Sequence, residues 1–140
     1  MKPVSLSIFE ICDYATMSQD NKLSIIGIFD QVYVRGFPAQ HSRMFIVGVA
    51  NGEANSVHKL MFKIRNIVGE NVLPNIELNV KLSPNGKTNV IAEVNNVPLS
   101  GPGTYIIECL EDNTVIQRKE LVVQLQGVQP MRPETKKLPN

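Results

Sequence analysis

Several residue types are scarce in this chain, and each scarcity removes a class of function. There is no tryptophan, and there are only two cysteines and two histidines in 140 residues. Cys12 and Cys109 are too few for a disulfide scaffold, and a chain of this length does not need one. Reduced, buried thiols are the expected state, with a single Cys12–Cys109 bridge between strands as the alternative. No C-x-x-C or H-x-x-x-H pair occurs, so no zinc motif is written locally. A site gathered from Cys12, His41, His58 and Cys109 stays open on sequence alone. No G-x-S-x-G is present, and neither histidine is tied to a nucleophile by any motif. His41 follows Phe37-Pro38-Ala39-Gln40 and reads as an exposed loop residue. His58 reads as a partly covered residue at a strand end.

Charge of one sign is also lacking. The 14 Lys and Arg stand against 13 Asp and Glu, a net charge of +1. That field is too weak to favour nucleic acid or an anionic membrane. The few aromatics fall mostly on core positions, so no stacking surface for bases is expected either. The one glycine cluster, Gly101-Pro102-Gly103, enters a strand instead of a helix, and proline removes a donor, so it is a turn and not a phosphate cradle. No apolar run is long enough for a membrane helix. Glu10 and Asp13 interrupt the N-terminal apolar segment before it could form an export signal. A cytoplasmic protein is expected.

What the sequence does have is a period of two. In Ile76-Glu77-Leu78-Asn79-Val80-Lys81-Leu82-Ser83, apolar and polar residues alternate without a break, the pattern of a strand with one buried face. His58, Leu60, Phe62 and Ile64 share a face, as do Val90, Ala92 and Val94, and Leu121, Val123 and Leu125. Leu23–Val34 and Met44–Ala50 are apolar on both faces and are candidates for central strands, covered on both sides or bent. Their glycines, Gly27 and Gly48, point to a bulge or a close backbone approach. A parity change at Ile8-Phe9 predicts a bulge in the first strand. Turns are expected at Ser18–Lys22, with Asn21 left-handed, at Ser83-Pro84-Asn85-Gly86-Lys87, and at Glu111-Asp112-Asn113-Thr114.

Together these features predict an all-β protein: an immunoglobulin-like antiparallel β-sandwich of about eight strands over residues 1–126, with a flexible C-terminal tail over 127–140. The predicted core holds Leu6, Ile8, Ile26, Ile28, Ile46, Phe62, Leu78, Val80, Val90, Ala92, Ile107, Leu121 and Val123. Exposed valines such as Val122 hint at a sticky face.

Three blocks carry a resemblance. They are Cys12-Asp13-Tyr14-Ala15, then Asn21-Lys22-Leu23-Ser24-Ile25-Ile26-Gly27-Ile28-Phe29-Asp30, then Phe37-Pro38-Ala39. With Pro102-Gly103-Thr104-Tyr105 and Glu120-Leu121-Val122-Val123 near the end, they resemble a family of uncharacterised bacterial β-sandwich proteins. The family pattern has a D-Y-A turn, a G-K-L-x-I-I-G-I-F-D strand and an F-P-A loop. Asn21 stands where the family has glycine, and Glu120 where it has proline. The resemblance implies a compact sandwich and no activity.

The functional expectation is an uncharacterised, non-enzymatic intracellular protein that acts as a protein-binding or assembly module. Its partner is another protein or a second copy of itself, and it uses no nucleic acid, membrane, cofactor or metal, and no catalytic residues. One alternative is a small-ligand-binding protein or enzyme with an anion-binding pocket near the 35–43 loop, built from Arg35, His41 and Arg43, the richest polar cluster available. Another is a structural component of a phage or secretion assembly. Glu10, Asp13 and Asp30 are strand-end or strand carboxylates that more often cap turns than do acid–base work.

Overall fold

A computed structural model describes residues 3–127. The expected tail, beyond Gly127, lies outside the described residues.

The alternating runs all form strands. In chain order they are β1 (Ser5–Met17), β2 (Leu23–Ile28), β3 (Gln31–Val34), β4 (Ala39–Asn51), β5 (Val57–Arg65), β6 (Ile76–Lys81), β7 (Lys87–Leu99), β8 (Gly103–Glu111) and β9 (Thr114–Leu125). They make two sheets, one of four strands in the order β2-β1-β4-β7 and one of five in the order β3-β9-β8-β5-β6. No element among the described residues is a helix long and apolar enough to cross a membrane.

The ninth strand comes from the segment Leu23–Val34, which reads as one central strand and is not one. It breaks at Phe29-Asp30 and changes sheets there. The Phe29 N–H donates to the Ile11 carbonyl in the first sheet, and the Asp30 carbonyl accepts from Val122 N–H in the second. β2 pairs only with β1, and β3 runs parallel to β9. The chain therefore edges both sheets in turn, and one pairing departs from the antiparallel rule. As a result Ile26 and Ile28, predicted core residues, are 58% and 57% exposed.

The rest of the core follows strand parity. Ile46, Phe62, Val90, Ala92, Ile107, Leu121 and Val123 are buried between the sheets, and Leu6, Leu78 and Val80 pack partly buried against them. Ile8 is turned outward, because the ladder slips between Leu6 and Ile8 and hands the inward position to Phe9. Val122 is half-buried between β3 and β8 and is no sticky face. β4 is the central strand that Met44–Ala50 predicts. Its inward side meets the main core, while Phe45 and Val47 join Cys12 and Ala15 in a second apolar cluster. Gly48 permits the close approach of the Ile8 carbonyl, 3.1 Å from where a Cβ would sit. Gly27 takes φ +73°, and a Cβ there would meet Asp13 Oδ2 at 2.6 Å.

The turns form as their residues dictate. Asn21 is left-handed, as are Asp112 and Asn113, which close a two-residue hairpin between the paired Glu111 and Thr114. Glu120 pairs in register with Ile106, so its replacement of proline keeps β9 in the ladder. Tyr105 of the P-G-x-Y block is 1% exposed, and its hydroxyl donates to the Gly101 carbonyl at 2.8 Å. This is the tyrosine corner arrangement of immunoglobulin-like sandwiches, in which a strand-start tyrosine ties down the preceding loop.

Candidate functional site

The structure separates Arg35, His41 and Arg43. The expected 35–43 loop is only a short bend, because β4 begins at Ala39 and takes in His41 and Arg43. Residues two apart on a strand normally share a face. Here β4 and β7 reverse parity together. The ladder runs from Met44↔Val94 to His41↔Val97, skips Ser42 and Asn96, and Asn96 is left-handed. Val94 and Val97 therefore both reach the core. His41 turns toward the core side, where its ring lies 5.5 Å from that of Phe29. Its Nε2 is buried without a hydrogen-bond partner among the described residues. Burial pushes its pKa down, opposed by the Asp13 carboxylate and a backbone hydrogen bond at Arg43. Arg43 faces the other way. Its guanidinium lies over the rings of Tyr14 and Phe45 and pairs with Glu93 at 3.1 Å. Arg35 is exposed in the bend. The three groups do not converge on an anion.

The carboxylates and thiols are also dispersed. Glu10 pairs with Lys119 at 2.9 Å, bridging β1 and β9. Cys12 and Cys109 are both free and buried, the first in the outer cluster and the second in the main core. Among the described residues no three metal-ligating side chains come together.

One polar constellation escaped the sequence reading. His58 is buried, not partly covered, and forms the centre of a chain of hydrogen bonds. Its Nε2 lies 2.8 Å from Ser56 Oγ and its Nδ1 2.5 Å from Glu111 Oε2. Glu111 Oε1 accepts from Val4 N–H at 2.9 Å. The order Ser–His–Glu has the atoms of a hydrolytic triad. The proton inventory runs the other way. Ser56 Oγ lies 2.7 Å from the Glu53 carbonyl, which can only accept, so the hydroxyl proton is directed there. A hydroxyl proton held by that carbonyl is not offered to the ring nitrogen, as general-base activation of the serine would need. A cavity of about 350 Å³ beside His58 and Glu111 is lined by Pro3, Val57, Lys59, Asp112 and Thr114, and Ser56 is not in its wall. The chain of bonds fastens the start of β1 to β5 and β8. Only the apolar parity of His58 marked it in sequence, because Glu111 lies 53 residues away.

Exposed apolar side chains occur on both sheets and at Ile67 and Val68, and the largest group on paired strands is that of β1 and β2. Ile8, Tyr14, Met17, Ile26 and Ile28 are each 39–58% exposed, and all lie on β1 or β2. Ile28 pairs with Cys12 and Ile26 with Tyr14 across the two strands. Tyr14 packs edge-on against Phe45 at 5.4 Å and carries Arg43 above it. Tyrosine and arginine set among aliphatic residues is the composition of a binding hot spot. Next to Met17, a cleft of about 620 Å³ is lined by Asn21, Asn85, Lys87 and Asn89.

These features define an immunoglobulin-like β-sandwich domain with an apolar strand edge on its four-stranded sheet. The chain belongs to a family of unknown function, DUF6941, whose model matches residues 7–124. No curated protein sequence gives a significant match. Among solved structures, the chain is similar to part of the alkylpurine DNA glycosylase AlkC of Pseudomonas fluorescens, bound to DNA with an abasic site analogue. The identity is 11% and the TM-score 0.54, over 86% of this chain but only 30% of the glycosylase. It is also similar to an immunoglobulin-like protein of Pseudomonas aeruginosa, at 14% identity and TM-score 0.48, over 87% of this chain and 97% of that one. A β-glucosidase of Bifidobacterium adolescentis gives 6% identity and TM-score 0.46, over 86% of this chain and 17% of that enzyme. At such identities the likeness is one of fold.

Proposed function

We propose that this domain is a non-enzymatic, intracellular protein-binding or assembly module, and that it meets its partner through the β1–β2 edge of the four-stranded sheet. One observation carries the reading: β2 is an edge strand with neither charge nor proline, and its Ile26 and Ile28 are more than half exposed. Edge strands are usually guarded by lysine, proline or an inward charge, since their free backbone groups invite another strand. An edge left unguarded and apolar fits β-strand addition by a partner. The non-enzymatic part rests on the direction of the Ser56 hydroxyl and on the divergence of Arg35, His41 and Arg43.

The test is a photo-crosslinking residue at Ser24 of β2, in the native host, with the same residue at Lys59 of β5 as control. A discrete crosslinked product from position 24, absent at position 59 and abolished by Ile26→Lys, is the expected result. Identical products from both positions would refute the assignment of this edge.

A further inference from the structure

We infer that the partner at this edge is a second copy of the same chain, docked β2 against β2 in antiparallel pairing about a two-fold axis. The inference rests on the binding role proposed above for the β1–β2 edge and names its occupant.

The four sheet edges differ in how they are defended. β7 carries Lys87, Glu93 and Pro98 along its length. β6 carries Glu77 and Lys81 in six residues, and β3 is four residues long. Charge, proline and shortness are the usual protections of an edge. β2, Leu-Ser-Ile-Ile-Gly-Ile, has six residues and none of them is charged or proline. An edge of this kind is spared only if something covers it.

The same composition favours a copy over a foreign partner. An edge without charge has no electrostatic means of selecting one protein over another. Self-pairing needs none, because in a two-fold arrangement each patch meets itself. Of the nearby charges, Lys22 pairs with Asp20, Arg43 with Glu93 and Glu10 with Lys119 within one copy, while the Asp13 carboxylate lies against Gly27 toward the far end of β2. They would form a polar rim around an apolar seam, the usual anatomy of an interface. The chain as a whole carries net +1, so two copies do not repel at long range.

The seam centres on Leu23–Ile26, since Gly27 bends the strand with its positive φ. Ile26 lies beside Tyr14 in the β1–β2 ladder, so pairing at Leu23–Ile26 sets each copy's Ile26 toward an end of the seam, beside its own Tyr14. The two four-stranded sheets would then run on as one of eight. Strand pairing alone is short of the roughly 800 Å² per partner that a stable dimer buries. The flanking Tyr14, Met17 and Ile28, all more than 40% exposed, add apolar area beside the seam.

The experiment is light scattering on the full chain across a wide concentration range, with Ile26→Lys, Ser24→Lys and Val68→Lys beside the wild type. The expected result is a wild-type mass near twice 15.6 kDa. Either β2 variant should lose the dimer while keeping its circular dichroism, and Val68→Lys, on the 71%-exposed Val68, should keep it. Two β2 variants are used so that one misfolded protein does not end the test. A dimer that survives both would overturn the β2 seam. A monomer at every concentration would overturn self-pairing. If the position-24 crosslink then still captures a different protein, the binding role stands without it, and if it captures nothing, both readings fall.

Discussion

His58 Nδ1 lies 2.5 Å from Glu111 Oε2, with both side chains withdrawn from solvent between the N-terminus of β5 and the C-terminus of β8. Buried polar groups hold their place only while each has a partner. Here every link is closed: Ser56 and Glu111 satisfy the two ring nitrogens, and Val4 N–H satisfies the second carboxylate oxygen. The network joins residues far apart in sequence, so it works as a clasp on the first strand.

Removing one end of that clasp should therefore harm stability more than any chemistry. Glu111→Leu or His58→Leu leaves the other group buried and unpaired, a loss of about 2–5 kcal/mol. Replacing both together by apolar residues of matched volume should recover much of it. Urea denaturation of the two single variants and the double variant measures the coupling. Additive losses would mean that the two side chains act independently.

Phe62 is 1% exposed and lies 6.0 Å, ring to ring, from Phe9 of the opposite sheet. Phe62→Ala should cost about 3–5 kcal/mol, since it opens a cavity where the sheets meet. Chemical denaturation gives the value. A cost below ~1 kcal/mol would mean that the site collapses around the smaller side chain.

Phe62 also marks what can be read from sequence. β5 alternates cleanly, so its buried and exposed faces follow from period two. The same rule assigned Ile26 and Ile28 to the core, because alternation states which residues share a face and not whether anything covers it. Coverage depends on strand order, and the switch of sheets at Phe29-Asp30 makes β2 an edge. His41 and Arg43 failed as a pair for a related reason. Their separation comes from a reversal shared with Asn96, on a strand more than fifty residues on, through the antiparallel pairing of β4 and β7. Ser56, His58 and Glu111 form a third case: two members are local, and the third arrives only through the β5–β8 pairing. Local chemistry was legible; what pairing brings together was not.

His41 gives a prediction at acid pH. Burial against Phe29 lowers its pKa in the folded protein below the ordinary value of 6.5. The unfolded chain then takes up a proton that the folded chain resists, so stability rises with pH in this window. The contribution is present in full above pH 6.5 and is lost as pH falls through the folded value. His41→Phe should flatten the fall in melting temperature on acidification relative to the wild type. A variant whose melting temperature tracks the wild type from neutral pH downward would show that other groups govern acid stability.

Cys109 gives the opposite prediction at alkaline pH. It lies in the main core, and burial, reinforced by the nearby Glu111 charge, pushes its thiol up to about 12 from an ordinary 9.0. Below pH 9.0 both folded and unfolded chains keep the proton, and the packed thiol contributes in full. Above it the unfolded chain releases the proton while the folded chain holds it, so stability falls with rising pH until the folded value is reached. Cys109→Ala removes this group from the balance, at the cost of a small cavity that lowers stability equally at all pH values. The decisive quantity is therefore the slope of unfolding free energy against pH between about 9 and 12, compared between the two proteins. A shallower slope in Cys109→Ala is expected, together with a native thiol that resists alkylation until the chain is unfolded, because the thiolate is the nucleophile. Equal slopes, or rapid alkylation of Cys109 in the folded protein, would mean that solvent reaches the core beside Glu111 far more readily than its packing between β5 and β9 allows.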